Sequence, residues 1–167
     1  MTGLPCTGKS TIAAAIAAAL PATLLSADPI DAALTAAGVE HRPDIVGYEI
    51  MKALARENLV LGLSVVIDAV NPFAFTRAAY VEIAAASSTQ VVFIVTECSN
   101  AVVHRERVEG RAKPLTWSEV ERQIDYYEPF VGEALRLDAV DDHEQNVAAA
   151  VGGVRRAQPP HPARCED

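Results

Sequence analysis

The segment Gly3-Leu4-Pro5-Cys6-Thr7-Gly8-Lys9-Ser10, followed by Thr11, fits the pattern G-x-x-x-x-G-K-[ST] without a mismatch. Glycines let the backbone wrap closely around a phosphate, and successive N–H groups then point inward as an anion nest. Such a loop must open into a helix, because the positive helix end aims at the same phosphate. An alanine-rich run follows at once and stops at Pro21, so a helix is expected from Lys9 to about Leu20. In this setting Gly3, Pro5, Cys6, Thr7, Gly8, Lys9, Ser10 and Thr11 form a cradle for the phosphates of ATP. Lys9 is then expected to reach the β- and γ-phosphates and the Ser10 hydroxyl to bind Mg²⁺, the alternative being a plain glycine-rich turn before a helix. Cys6 places a thiol beside the phosphate.

The same run has a second reading. From Ser10 to Ala27 the chain is uncharged, and after Lys9 it imitates a signal peptide. It is mostly alanine and is broken by Pro21, too weakly apolar for a membrane helix, so no membrane association and a cytoplasmic location are expected. The chain of 167 residues has the size of one domain, and 50% hydrophobic with 22% charged residues is a globular composition. Its formal charge of −8 argues against holding nucleic acid by bulk phosphate neutralisation. Three cysteines, Cys6, Cys98 and Cys165, stand at unrelated spacings, which disfavours both a disulfide framework and a zinc site.

A phosphate loop normally follows a buried strand of about five or six residues. Only Met1 and Thr2 precede Gly3. The sheet is therefore expected to lack its first strand, and the natural protein to start about 5–10 residues earlier.

Strand and helix signals alternate through the rest: strands at 22–26, 63–68, 90–96 and 134–139, and helices at 44–61, 72–86, 99–109, 116–127 and 142–154. Ser99 and Thr116 are the expected caps, with Glu119 completing a capping box. Alternation of this kind means a parallel sheet covered on both faces. Residues 1–156 form one domain, with a short lid around 105–115, and 157–167 read as a disordered tail.

Ligands bind at the carboxyl ends of strands in open α/β sheets. Asp28 follows the second strand and can accept or orient the proton of an attacking hydroxyl; equally, Asp before Pro29 is a standard helix start. Asp68 ends Val65-Val-Ile-Asp68, where a carboxylate can hold Mg²⁺ opposite Ser10 or simply make a turn. Arg107 and Arg111 stand four apart on one helical face and suit phosphate binding or base stacking, or else a solvated face paired with glutamates. Arg77 could reach the transferred group or equally stand as a surface arginine, and Arg42, Tyr48 and Glu49 lie where an acceptor would bind. Trp117, Tyr126 and Tyr127 read as packing rather than as a stacking platform.

Gly3-Leu-Pro-Cys-Thr-Gly-Lys-Ser-Thr11, Ser26-Ala-Asp28, Val65-Val-Ile-Asp68-Ala-Val-Asn71-Pro and Arg107-Val-Glu-Gly-Arg111 together resemble the small P-loop kinases of the AAA_33 or zeta-toxin-like group. Chloramphenicol phosphotransferase, gluconate kinase and polynucleotide kinase are relatives. The resemblance is nearest to actinobacterial "AAA family ATPase" proteins of unassigned substrate. It implies a P-loop NTPase three-layer α/β sandwich with a parallel sheet of order 2-3-1-4-5. It also implies transfer of the ATP γ-phosphate to a small-molecule hydroxyl, with Asp28 as base, Asp68 as metal partner, Arg107 on the nucleotide side and Arg111 as phosphate clamp. The alternatives are a nucleotide-binding regulator without efficient transfer and, disfavoured by the charge, a nucleic-acid end kinase.

Overall fold

The structure is a computed structural model that describes residues 1–40, 43–111 and 115–157. In chain order its elements are α1 (Lys9–Ala19), β1 (Ala22–Ser26), α2 (Ala27–Ala36), α3 (Pro43–Val60), β2 (Ser64–Asp68), α4 (Ala74–Ala86), β3 (Ile94–Glu97), α5 (Ala101–Glu109), α6 (Trp117–Tyr126), β4 (Leu135–Asp138) and α7 (His143–Ala157).

β1 and β2 pair in parallel from Ala22↔Ser64 to Ser26↔Asp68, and β3 and β4 from Ile94↔Leu135 to Glu97↔Asp138. Met1 and Thr2 lie between the two pairs. The Thr2 N–H donates to the Ile94 carbonyl and the Thr96 N–H to the Thr2 carbonyl, both at 2.9 Å. The Met1 amino nitrogen donates to the Ile67 carbonyl at 2.8 Å. The described strands thus make two parallel pairs without a full first strand, and Met1 and Thr2, joined to each pair by isolated bonds, occupy the central place of the expected order 2-3-1-4-5.

Two apolar clusters separate the faces. Ile12, Ile16 and Leu20 of α1 pack with Ile94, Leu137 and Ala150, and Val66 points to this side. Leu25 packs with Met51 and Ala55 of α3 on the other face, joined by Val65 and Ile67. The alternation of Val65, Val66 and Ile67 is the period of two of a strand buried on both faces. The chain thus has the P-loop kinase-like α/β fold, three layers deep.

Several boundaries differ from expectation. β3 is confined to Ile94–Glu97, because the residues that pair with it, Thr2 and β4, begin at Ile94, and Val91 and Val92 remain exposed. Asn100, not Ser99, caps α5, its side-chain oxygen accepting from the N–H groups of Val102 and Val103. The Thr116–Glu119 capping box is present. Asp28 lies inside α2 rather than capping it; the N-cap position is Ser26. Ala157, assigned to the tail, ends α7, and residues 158–167 and 112–114 lie outside the described residues.

Candidate active site

The phosphate loop is shaped by three left-handed or open conformations: Gly3 at φ 145°, Cys6 at 62° and Gly8 at 90°. Gly3 has a steric reason as well. A Cβ there would stand 2.1 Å from the Thr96 carbonyl oxygen. Thr7 then locks the turn, its hydroxyl donating to the Leu4 carbonyl at 2.8 Å and lying 2.7 Å from the Thr96 hydroxyl. From outside, the His104 Nε2 meets the Pro5 carbonyl at 2.7 Å, and its ring stands edge-on to Trp117. Helices α5 and α6 therefore brace the loop.

Lys9 is buried, and its ammonium donates to the Leu4 carbonyl at 2.6 Å, inside the loop it serves. Burial pulls its pKa down from 10.5 to about 8, opposed by the nearby Asp68 charge. Asp68 is buried at the end of β2, and its Oδ2 accepts from the Ser26 hydroxyl at 3.1 Å. Ser10 and Asp68 line the same cleft, which encloses about 850 Å³. Their oxygens are hard donors suited to Mg²⁺, which keeps several waters and phosphate oxygens among its ligands. Among the described residues no cluster of three His, Cys, Asp or Glu forms a ready-made metal cage.

Across the mouth, the Arg111 Nη2 donates to the Asp28 Oδ2 at 3.0 Å. Arg107, in the last turn of α5, donates to the Ala139 carbonyl at 2.6 Å. It borders both the main cleft and a side cavity of about 40 Å³ lined by Thr7, Gly8, Leu137 and Asn146. The Tyr48 hydroxyl accepts from the Asn71 N–H at 2.9 Å and faces the cleft.

The AAA domain model AAA_33 matches residues 1–130. The chain belongs to the AAA_33 family. Among solved structures, Kti12 from Chaetomium thermophilum in complex with ADP-AlF3 superposes with a TM-score of 0.75 at 20% identity, covering 95% of this chain and 97% of that one. A sugar kinase from Janibacter gives 0.71 at 19% identity over 92% and 91%, and an APS kinase from Mycobacterium tuberculosis with AMPPNP and APS gives 0.70 at 17% over 92% and 94%. These likenesses establish the fold. No curated protein sequence matches the chain.

The AAA_33 match spans the loop, Asp28, Asp68, Arg107 and Arg111, and the structure brings all of these to one cleft. Arg77 is not among them. Expected beside the transferred group, it is buried, with its guanidinium donating to the carbonyls of Asn71, Pro72 and Pro129 at 2.9, 3.1 and 3.4 Å. It also sits over the rings of Tyr127 and Phe130. Within the first turn of α4 Ala74 and Phe75 are exposed while Arg77 is buried, so its guanidinium gathers the carbonyls at the helix entrance. Glu49 is exposed and pairs with Lys52, and Arg42 lies outside the described residues. Trp117 and Tyr127 do pack, the latter 2.7 Å from the Thr2 hydroxyl. Tyr126 packs as well, on the Phe73 ring, and also lines the cleft together with Phe73, Thr76 and Gln123, which sequence reasoning missed. Phe73 and Thr76 follow a strand end, the one signal that could have flagged them; Gln123 and Tyr126 carry none.

Proposed function

We propose that this AAA_33 protein is an Mg²⁺-ATP-dependent phosphotransferase that moves the γ-phosphate to a hydroxyl of a small molecule. The observation that carries this reading is the convergence of Lys9, Ser10 and Asp68 with Asp28 and Arg111 around one cleft of about 850 Å³. The anion nest and Lys9 bind the phosphates, and Mg²⁺, held by Ser10 and Asp68, supplies charge neutralisation of the phosphate oxygens. The acceptor oxygen forms the new bond to the γ-phosphorus as the bond to the ADP oxygen breaks. Asp28 orients the hydroxyl and takes its proton. For this the Asp28–Arg111 contact must open, which frees Arg111 to turn toward the phosphoryl group. Catalysis then rests on positioning and charge, as phosphoryl transfer requires.

The Asp28–Arg111 contact also supports the second reading, a nucleotide-binding switch that holds its carboxylate out of use. One experiment separates the two: ATP turnover with and without a panel of hydroxyl compounds, for the wild type and Asp28→Asn. A kinase shows acceptor-stimulated turnover that falls by about 10²–10⁴ in Asp28→Asn with ATP affinity kept within about twofold. Full transfer by Asp28→Asn would refute the base assignment, and turnover indifferent to every acceptor would favour the switch.

A further inference from the structure

The cleft wall opposite the phosphate loop carries rings that no step above uses. Phe75, Phe73 and Tyr126 form a row, with Phe73 and Phe75 centroids 5.3 Å apart and 9° from parallel, and Phe73 and Tyr126 5.7 Å apart at 26°. These are stacking distances. Phe73 and Tyr126 line the cleft, beside Thr76 and Gln123, whereas Phe75, 69% exposed, carries the row out to the surface. In a chain with only 5% aromatic residues, three rings stacked at one mouth are a concentration that solvent does not favour.

The row is also held in place. The Glu128 N–H donates to the Pro72 carbonyl at 2.9 Å, and the Glu128 carboxylate accepts from the Ala74 N–H at 2.5 Å. These bonds tie the segment bearing Phe73 to the segment bearing Tyr126, so the ring spacing is set without a ligand. They have a second effect. The start of α4, where an anionic group could otherwise dock, is already filled by the protein's own carboxylate.

We infer that the acceptor is a hydroxylated molecule with an uncharged aryl or heteroaryl ring, which packs against Phe73 and Tyr126 while its hydroxyl points to Asp28. The hydroxyl's role rests on the phosphotransferase reading; the ring site does not. The test is ligand-observed NMR with saturating MgADP, using matched pairs with and without a ring: phenyl against methyl β-glucoside, 2-phenylethanol against ethanol, uridine against ribose. The ring-bearing members are expected to bind about tenfold tighter. Phe73→Ala and Tyr126→Ala should each abolish that preference with ADP affinity unchanged. Because Tyr126 is 47% exposed, its variant keeps the test open should Phe73→Ala melt. Equal affinities within the pairs, no binding by any ring compound, or a preference that survives both variants would overturn the inference. Replacing ADP by ATP and weighing the products separates the two readings. Ring binding without phosphoryl gain supports the ring site and removes the kinase; transfer to ring-free alcohols indifferent to Phe73→Ala does the reverse.

Discussion

Between Gly3 and Thr11 the residues that shape the phosphate end of the cleft are chain neighbours, whereas the opposite end draws Tyr48 from α3, Phe73 and Thr76 from the start of α4, and Gln123 and Tyr126 from α6. The first end is held mainly by short-range contacts such as Thr7 to Leu4 and Lys9 to Leu4, and by a few bonds to β3 and α5. The second is held by long-range ones, including Glu128 to Pro72 and Arg77 to Pro129. A contiguous site is specified residue by residue, so single changes in it act on chemistry and backbone together. An assembled site depends on distant supports, so it should be loosened by residues that never touch a ligand.

The largest effect is expected at Gly3. Alanine there meets the Thr96 backbone oxygen at 2.1 Å in a conformation that L residues avoid, so the loop and β3 must part. Gly3→Ala should cost about 4 kcal/mol or more and abolish ATP binding. Gly8 is the internal comparison: its φ is 90°, but an added Cβ meets nothing within 4 Å. Gly8→Ala should cost only about 1–2 kcal/mol from backbone strain. Denaturant melts of both would show it, and similar losses would mean that close packing on Thr96 is not what demands Gly3.

Arg77 tests the assembled end. Arg77→Met keeps much of the volume but leaves the carbonyls of Asn71, Pro72 and Pro129 without their shared donor. A loss of about 2–4 kcal/mol is expected, lowering Tm by roughly 5–15 °C. Ring-compound affinity should fall while MgADP affinity stays within about twofold. Equal weakening of both ligands would show that the two ends are one cooperative unit.

The same division governs what could be read from the sequence. The placement of the phosphate loop, Asp28 and Asp68 at one cleft was legible because a motif and a strand end fix where each side chain goes. The parallel pairing was legible too, yet β3 is shorter than expected, since Val91 and Val92 look like strand but no strand among the described residues pairs with them. Arg77 lies away from its expected place because a charged residue after the strand that ends in Asp68 suggests a ligand contact, and nothing local announces three carbonyls converging on it. Tyr126 packs as expected, but its place at the cleft was hidden for the same reason. Its neighbour Phe73 lies far away in sequence, and only the fold stacks them.

The smallest effect separates the two ends by pH. Lys9 is protonated up to about pH 8 in the free protein, well below its usual 10.5, because burial penalises the charge. On the proposed reading ATP binds the ammonium form, so above pH 8 binding must take up a proton, and affinity falls as pH rises by at most about tenfold per unit. Stability moves the opposite way. The unfolded chain, whose Lys9 titrates at the higher value, binds more protons between about pH 8 and 10.5, so the contribution of Lys9 to stability rises through that window. From about pH 7.5 to 9, calorimetry should therefore find MgATP binding weakened by roughly three- to tenfold, with the trend erased in Lys9→Arg, which keeps its charge. Ring-compound affinity should stay flat over the same range, because stacking on Phe73 and Tyr126 needs no proton. A flat ATP profile in the wild type would mean that Lys9 keeps its proton despite burial, and that the buried lysine does not set the pH response of the phosphate end.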